Sequence, residues 1–169
     1  MKKALFLDLD GTIRYSKNGE FINSPNDIAI FDDVADKLKQ YDDHLLLGVT
    51  NQGGVAYGYK TCEEVEEEVD VTFHLLRDQG VELDHVVYAP FHPDADHEVF
   101  GVRSFSRKPD IGMLVLACNW VMQSKGVIVD LDHSLMVGDR PEDQECARRA
   151  GVDFMWAHEF FNREAPDEA

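Results

Sequence analysis

The chain has 169 residues, a length that suits one domain built around one core. Acidic residues outnumber basic ones 33 to 16, giving a formal charge of −17, so the surface repels nucleic acid and anionic ligands unless positive charge gathers at one place. No apolar run reaches the roughly 18–20 residues of a membrane span, and Asp8 and Asp10 interrupt the first apolar stretch too early for a signal-peptide core; a soluble, cytoplasmic protein with no membrane partner is expected.

Ala4–Leu9 is a short, almost wholly apolar run, the pattern of a strand buried on both faces. Asp10-Gly11-Thr12 follows as a turn. Asn18-Gly19 lies between two extended segments, Arg14–Lys17 and Glu20–Asn23, and predicts a tight type I′ hairpin leaving the sheet. Phe31, Val34, Leu38 and Tyr41 recur at helical spacing and predict a first helix near 27–40. Leu45–Thr50 reads as a second buried strand, ended by Asn51-Gln52-Gly53-Gly54. Thr61 and Glu64 form a capping box. The helix it opens carries Val65, Val69, Phe73 and Leu76 on one face and stops at Gly80. His85–Ala89 reads as a third strand. Roughly twenty residues from Pro90 to Pro109 then form a loop, and loops of that length in compact domains are usually functional.

Asp110 is placed to cap a helix carrying Met113, Leu114, Ala117, Trp120 and Val121. Ser134–Val137 gives a fourth strand, ending at Gly138-Asp139-Arg140. Pro141 starts a further helix that Gly151 closes, and Val152–Trp156 gives a fifth strand. Strands alternating with helices predict an α/β fold, with a central parallel sheet of about five strands and helices on both faces. One domain is expected over 1–160, with 161–169 as a frayed tail. Cys62, Cys118 and Cys146 stand far apart with no CxxC pair, so neither a disulfide framework nor a sequence-evident zinc site is expected.

Asp8, Thr50 and Asp139 fall at the C-terminal ends of predicted strands, and Lys108 falls in the long loop after another. In open parallel sheets those ends form the ligand crevice, so the four converge. Asp8 and Asp10 stand two apart, and a strand's period of two sends both to one side. Their mutual repulsion calls for compensation, which a magnesium ion supplies with few oxygen ligands; Asp139 would complete the protein's share. An ionised Asp8 could then attack phosphorus. Asp10 could protonate the leaving oxygen and later deprotonate water. Lys108 would neutralise the phosphoryl group and Thr50 would donate to it. Gly11, Gly53 and Gly54 would let backbone N–H groups approach phosphate oxygens. Asn51, Arg107 and Arg140 are further candidate phosphate or substrate contacts.

Four segments in order, Asp8-Leu9-Asp10-Gly11-Thr12, Thr50-Asn51-Gln52, Arg107-Lys108-Pro109 and Gly138-Asp139-Arg140-Pro141-Glu142-Asp143, resemble the motifs of the haloacid dehalogenase-like phosphatases over nearly the whole chain. The resemblance implies a Rossmann-like three-layer sandwich with the Asn18-Gly19 hairpin as a flap. It implies Asp8 as nucleophile, Asp10 as general acid and base, and magnesium held by Asp8, the Asp10 main-chain carbonyl and Asp139, with Asp143 in support. A second aspartate at position 10 sets the chain apart from the dehalogenase branch. No long insertion follows the flap or the second helix, so no large cap is expected.

Thr-Asn-Gln-Gly and Arg-Lys-Pro resemble the capless branch, which includes heptose-bisphosphate, histidinol-phosphate and polynucleotide 3′-phosphatases. The first two often carry a zinc loop of pattern C-x-H…C-x-C. Here those places hold Ala89-Pro90-Phe91 and Ser104-Phe105-Ser106, so no structural zinc is expected; His92 and His97 remain in the loop. Tyr57 stands where the branch often has Arg, and Tyr57 and Tyr59 either stack on a substrate or pack under the loop. The expected activity is hydrolysis of a small phosphorylated metabolite, a sugar or amino-alcohol phosphate. The alternatives are a polynucleotide 3′-phosphatase, which the charge of −17 disfavours, and a phosphate-binding domain without turnover.

Overall fold

The computed structural model describes residues 1–167. Five parallel strands form the central sheet in the order β5-β4-β1-β6-β7: β1 is Ala4–Leu7, β4 Leu45–Asn51, β5 His85–Ala89, β6 Leu135–Gly138 and β7 Asp153–Trp156. The register is continuous, with Phe6 opposite Leu47 on one side and Met136 on the other. All four residues of β1 are fully buried, as an apolar run in a sheet covered on both faces requires.

Alternation along β1 divides the core. Leu5 and Leu7 face a cluster with Val34, Leu38, Leu76 and Phe160. Phe6 and Ala4 face the opposite cluster, with Met113, Val121, Met136 and Ala147. The first layer therefore contains α1 (Val34–Leu38), α2 (Cys62–Asp78) and α5 (Ala157–Phe160). The other contains α3 (Gly112–Lys125) and α4 (Pro141–Ala150). Burying one such Leu or Phe contributes about 1.5–3 kcal/mol relative to exposure. The result is the expected three-layer α/β sandwich.

The capping box holds as read: Glu64 N–H donates to the Thr61 hydroxyl at 3.1 Å, and Thr61 N–H to the Glu64 carboxylate at 2.8 Å. Three local expectations do not hold. The helix near 27–40 is shorter: Ile28–Ile30 forms a strand, β3, and α1 starts at Val34. Ile28 and Ile30 alternate inward and pair with β2 (Arg14–Ser16), and that pairing overrides the helical spacing. The hairpin is thus β2–β3 rather than a tight Asn18-Gly19 turn. Neither residue takes the positive φ that a type I′ turn needs. A wider loop is gathered instead by Asp27, whose carboxylate accepts from Asn18 Nδ2 at 2.6 Å and Asn23 N–H at 3.1 Å. Finally, Asp110 does not cap α3; Ile111 occupies that place, and the Asp110 carboxylate accepts from Arg149 Nη1 at 2.6 Å.

Two side chains just beyond residue 160 are packed. Phe161 is buried, and the Arg163 guanidinium pairs with Asp33 at 2.7 Å and donates to the main-chain carbonyl of Thr12 at 2.8 Å. Residues 164–167, in the segment expected to be a tail, are exposed and carry no regular structure; residues 168 and 169 lie outside the described residues. No helix among the described residues is long and apolar enough to cross a membrane.

Candidate active site

The C-terminal ends of β1, β4 and β6 open into a cleft of about 560 Å³. The chain runs from β1 outward through β4 to β5, then returns to the other side of β1 for β6 and β7. The cleft lies at that reversal, where open α/β sheets bind ligands.

Asp8 follows β1 directly. Its N–H donates to Val137 of β6 at 3.0 Å, so a neighbouring strand fixes its position. Its Oδ1 accepts from Lys108 Nζ at 2.8 Å and Oδ2 from the Thr12 hydroxyl at 3.4 Å. Lys108 is 3% exposed. Its ammonium also donates to the Val49 carbonyl at 2.8 Å and pairs with Asp143 Oδ1 at 2.7 Å. Three acceptors match its three protons. Burial works against that ammonium, but Asp8 and Asp143 outweigh it and hold its pKa above the ordinary lysine value.

Asp143 sits in the first turn of α4. Its Oδ2 accepts from the N–H groups of Asp139 and Arg140 at 3.1 and 3.0 Å, which shapes the loop after β6. Asp139 is exposed as a residue, but its carboxylate turns in over Gly11. A Cβ on Gly11 would come within 2.2 Å of Asp139 Oδ2, and Gly11 has φ +84°, so only glycine suits this close approach.

Asp8, Asp139 and Asp143 each present a ligand oxygen, and these lie within 4.8 Å of one another, the one such group of acidic, histidine or cysteine ligands among the described residues. Burial pushes the Asp8 pKa well up; Lys108 opposes the rise, and the charges of Asp143 and Asp139 add to it. Asp139 shifts the same way, through desolvation of its carboxylate and repulsion from Asp143. Three carboxylates against one ammonium leave excess negative charge in a partly dry pocket. A hard divalent cation with oxygen ligands relieves it, and the all-oxygen donor set fits magnesium.

Asp10 lines the same cleft, but its carboxylate stands outside that group. Its Oδ1 pairs with Arg14 Nε at 2.7 Å, and Oδ2 accepts from Gln52 Nε2 at 2.8 Å. Thr50 is buried at the end of β4, and its hydroxyl accepts from Gln52 Nε2 at 2.9 Å. Arg107 and Arg140 both line the cleft. Arg107 Nη1 donates to the Phe91 carbonyl at 3.1 Å, and burial lowers its pKa. Asn51 also lines the cleft. Its Oδ1 accepts from Lys108 N–H at 2.9 Å and its Nδ2 donates to the Lys108 carbonyl at 3.1 Å, so the amide tethers the lysine to β4.

Gln52 and Arg14 were not singled out by the sequence as site residues. For Gln52 a signal existed, because it stands two residues from Thr50 at a strand end and so shares its side. For Arg14 none did, since the partners of its guanidinium come from a turn and a distant helix.

The 90–107 loop is held by its own polar groups. His97 Nδ1 accepts from the N–H groups of Val99 and Phe100, both at 3.1 Å. The Ser104 and Ser106 hydroxyls bond at 2.9 Å. His92 Nδ1 accepts from Asp94 N–H at 3.2 Å and lies 3.1 Å from the Tyr57 hydroxyl. Tyr57 stacks on Tyr59 with centroids 5.8 Å apart, and both rings stand at the cleft mouth, half-exposed and exposed.

Comparison with known proteins agrees with this geometry. A family model described as polynucleotide kinase 3 phosphatase matches residues 3–164. A D-glycero-beta-D-manno-heptose-1,7-bisphosphate 7-phosphatase of Haemophilus ducreyi is 35% identical over 89% of this chain and 80% of its own. The D-glycero-D-manno-heptose-1,7-bisphosphate 7-phosphatase of Chlorobaculum tepidum is 31% identical over 96% and 82%. Among solved structures, a HAD-like phosphatase from Mesorhizobium loti superposes with a TM-score of 0.76 at 30% identity, covering 89% of this chain and 69% of the other. A D,D-heptose 1,7-bisphosphate phosphatase from B. bronchiseptica, complexed with magnesium and phosphate, gives 0.70 at 25% identity, covering 90% and 78%. With its carboxylate cluster at the sheet's reversal point, this chain belongs to the haloacid dehalogenase-like phosphatases, on the branch of the heptose-bisphosphate and polynucleotide 3′-phosphatases.

Proposed function

We propose that the cleft hydrolyses phosphate monoesters of small sugar-type metabolites by way of a phosphoryl group carried on Asp8. The observation that carries this reading is the buried Asp8, with its Oδ1 2.8 Å from Lys108 Nζ and its carboxylate within 4.8 Å of those of Asp139 and Asp143. Asp8, Asp139 and the Asp10 main-chain carbonyl would hold magnesium, with Asp143 in support. The bound ion lowers repulsion between an anionic nucleophile and an anionic ester.

The residues then divide the work. Lys108 keeps Asp8 oriented and neutralises the transferred phosphoryl group. Asp8 bonds to phosphorus as the bond to the leaving oxygen breaks, and Asp10 gives that oxygen its proton. Asp10 next takes a proton from water as the water oxygen attacks phosphorus. The bond to Asp8 breaks, and inorganic phosphate leaves. Thr50, Arg107 and Arg140 line the cleft and would contact the phosphate and its ester group.

Sugar phosphates are favoured over nucleic acid for two reasons. The relatives compared above are heptose-bisphosphate phosphatases. A chain of charge −17 also repels a polynucleotide at long range. The loop needs no structural zinc in this reading, because residues 89, 91, 104 and 106 are Ala, Phe, Ser and Ser and the loop closes on its own hydrogen bonds.

Phosphate release from sugar phosphates, amino-alcohol phosphates and 3′-phosphorylated oligonucleotides, with magnesium and with chelator, tests the proposal. Sugar phosphates are expected to lead, with turnover lost on chelation. Asp8→Asn is expected to lower turnover by a factor on the order of 10³ or more. Unchanged turnover in Asp8→Asn would remove Asp8 from the mechanism, and faster turnover of the oligonucleotide would reassign the substrate.

A further inference from the structure

A second group of buried charges lies beside the cleft floor, and the chemistry above does not use it. Arg14 is fully buried on β2, and Glu68 is 1% exposed on α2. Such residues are almost never this buried unless paired. Lys60 compensates Glu68, donating to both of its carboxylate oxygens at 2.8 Å. Arg14 reaches into the same helix. Its Nη1 donates to the Glu68 main-chain carbonyl at 3.2 Å and to the Thr72 hydroxyl at 2.9 Å. Thr72 in turn donates to that carbonyl at 2.8 Å. Arg14 Nη2 is the one buried side-chain nitrogen or oxygen among the described residues with no partner.

Core stability does not call for this arrangement. Well-packed apolar groups of similar volume often do as well as buried ions, and an unmet buried donor is a cost. What the guanidinium supplies is a fixed direction. The Asp10 side chain is 45% exposed. An aspartate so open to the cleft would otherwise be free to turn. Nε holds its Oδ1 at 2.7 Å, a charge-assisted bond, while Oδ2 has the neutral amide of Gln52 at 2.8 Å.

We infer that Arg14 is a positioning residue for Asp10: anchored on α2, it fixes Oδ1 and leaves Oδ2 as the oxygen that exchanges its proton with the leaving group and with water. The inference rests on the reading of Asp10 as proton donor and acceptor. In the first step Oδ2 exchanges the weaker Gln52 bond for the leaving oxygen. Its proton passes to that oxygen as the phosphorus–oxygen bond breaks, and Asp10 is left as a carboxylate against Arg14. In the second step the same oxygen takes the proton of the attacking water, and Arg14 keeps its charge throughout.

Leaving groups distinguish positioning from mere structural support. An alkyl phosphate departs as an alkoxide that needs a proton, whereas p-nitrophenyl phosphate departs as a stable phenolate that needs little help. In Arg14→Met, kcat/KM, which reports the steps through departure of the leaving group, should fall about 10²-fold for glycerol phosphate and less than about fivefold for p-nitrophenyl phosphate. Arg14→Lys should recover part of the loss. An equal loss of kcat/KM on both substrates, or none, overturns the inference. Asp10→Asn separates it from the reading beneath it: no leaving-group discrimination there means that the role of Asp10 itself fails. Discrimination in Asp10→Asn without it in Arg14→Met means that only Arg14 is misassigned. If Arg14→Met does not fold, Thr72→Val decides, since it removes one Nη1 acceptor and no charge. A severalfold loss confined to the alkyl ester supports the inference, and an unchanged ratio of the two rates overturns it.

Discussion

On the cleft floor, Asp8, Lys108 and Asp143 are buried and each is held by at least two partners; at the mouth, the rings of Tyr57, Tyr59 and Phe21 stand half-exposed or exposed. The floor is assembled from residues up to 135 positions apart, Asp8 to Asp143, and strand ends fix it. The mouth is assembled from loops that bond mostly to themselves. A preorganised floor acts where charge develops in the transition state, and a pliable mouth binds ground state and transition state alike. Changes in the floor should therefore lower kcat, and changes in the mouth should raise KM.

The hardest strike on that division is Lys108→Met. It leaves Asp8 and Asp143 as buried like charges with no ammonium between them. Turnover should fall by about 10²–10³ and stability by about 3–5 kcal/mol, read from steady-state kinetics and a denaturant midpoint. Retained kcat with a raised KM would move Lys108 from the floor to the mouth in function. Tyr57→Ala should act the opposite way. It removes ring contacts with Tyr59 at 5.8 Å and His92 at 4.9 Å. KM for a sugar phosphate should rise about 3–10-fold with kcat within about twofold, the scale of one aromatic contact. A fall in kcat at constant KM would dissolve the distinction.

The smallest effect lies outside both regions. Glu145 on the surface of α4 pairs with Arg148 and Arg149, and those bonds lower its pKa to about 2. A depressed carboxylate contributes stability above its unfolded value, about 4.3, and loses it as pH falls through the folded one. The melting temperature of Glu145→Gln should lie slightly below that of the parent near pH 6, and the gap should close by about pH 2. Activity at neutral pH should not change, and a change would show that α4 transmits surface charge to the floor.

The sequence made the floor readable because its residues obey local rules. Asp8 directly follows a buried strand, Thr61 and Glu64 cap a helix reciprocally, and parallel strands bring distant ends together. It misread what depends on partners far along the chain. Ile28 and Ile30 fit a helical spacing until pairing with β2 makes them a strand. Asn18-Gly19 carries the composition of a tight turn, but the Asp27 carboxylate organises a larger loop. Arg14 carries no local signal of its role, and only the approach of α2 buries it against Glu68 and Thr72.

Asn51 grips both main-chain groups of Lys108. That grip works like a rivet at the junction between a variable segment and a fixed one. Whatever happens upstream of Lys108, the ammonium reports to β4 and not to the loop that delivers it. The segment from Pro90 to Ser106 thus joins Lys108 at a point that β4 already holds. The loop meets the cleft elsewhere, through the Phe91 carbonyl that holds Arg107 at 3.1 Å.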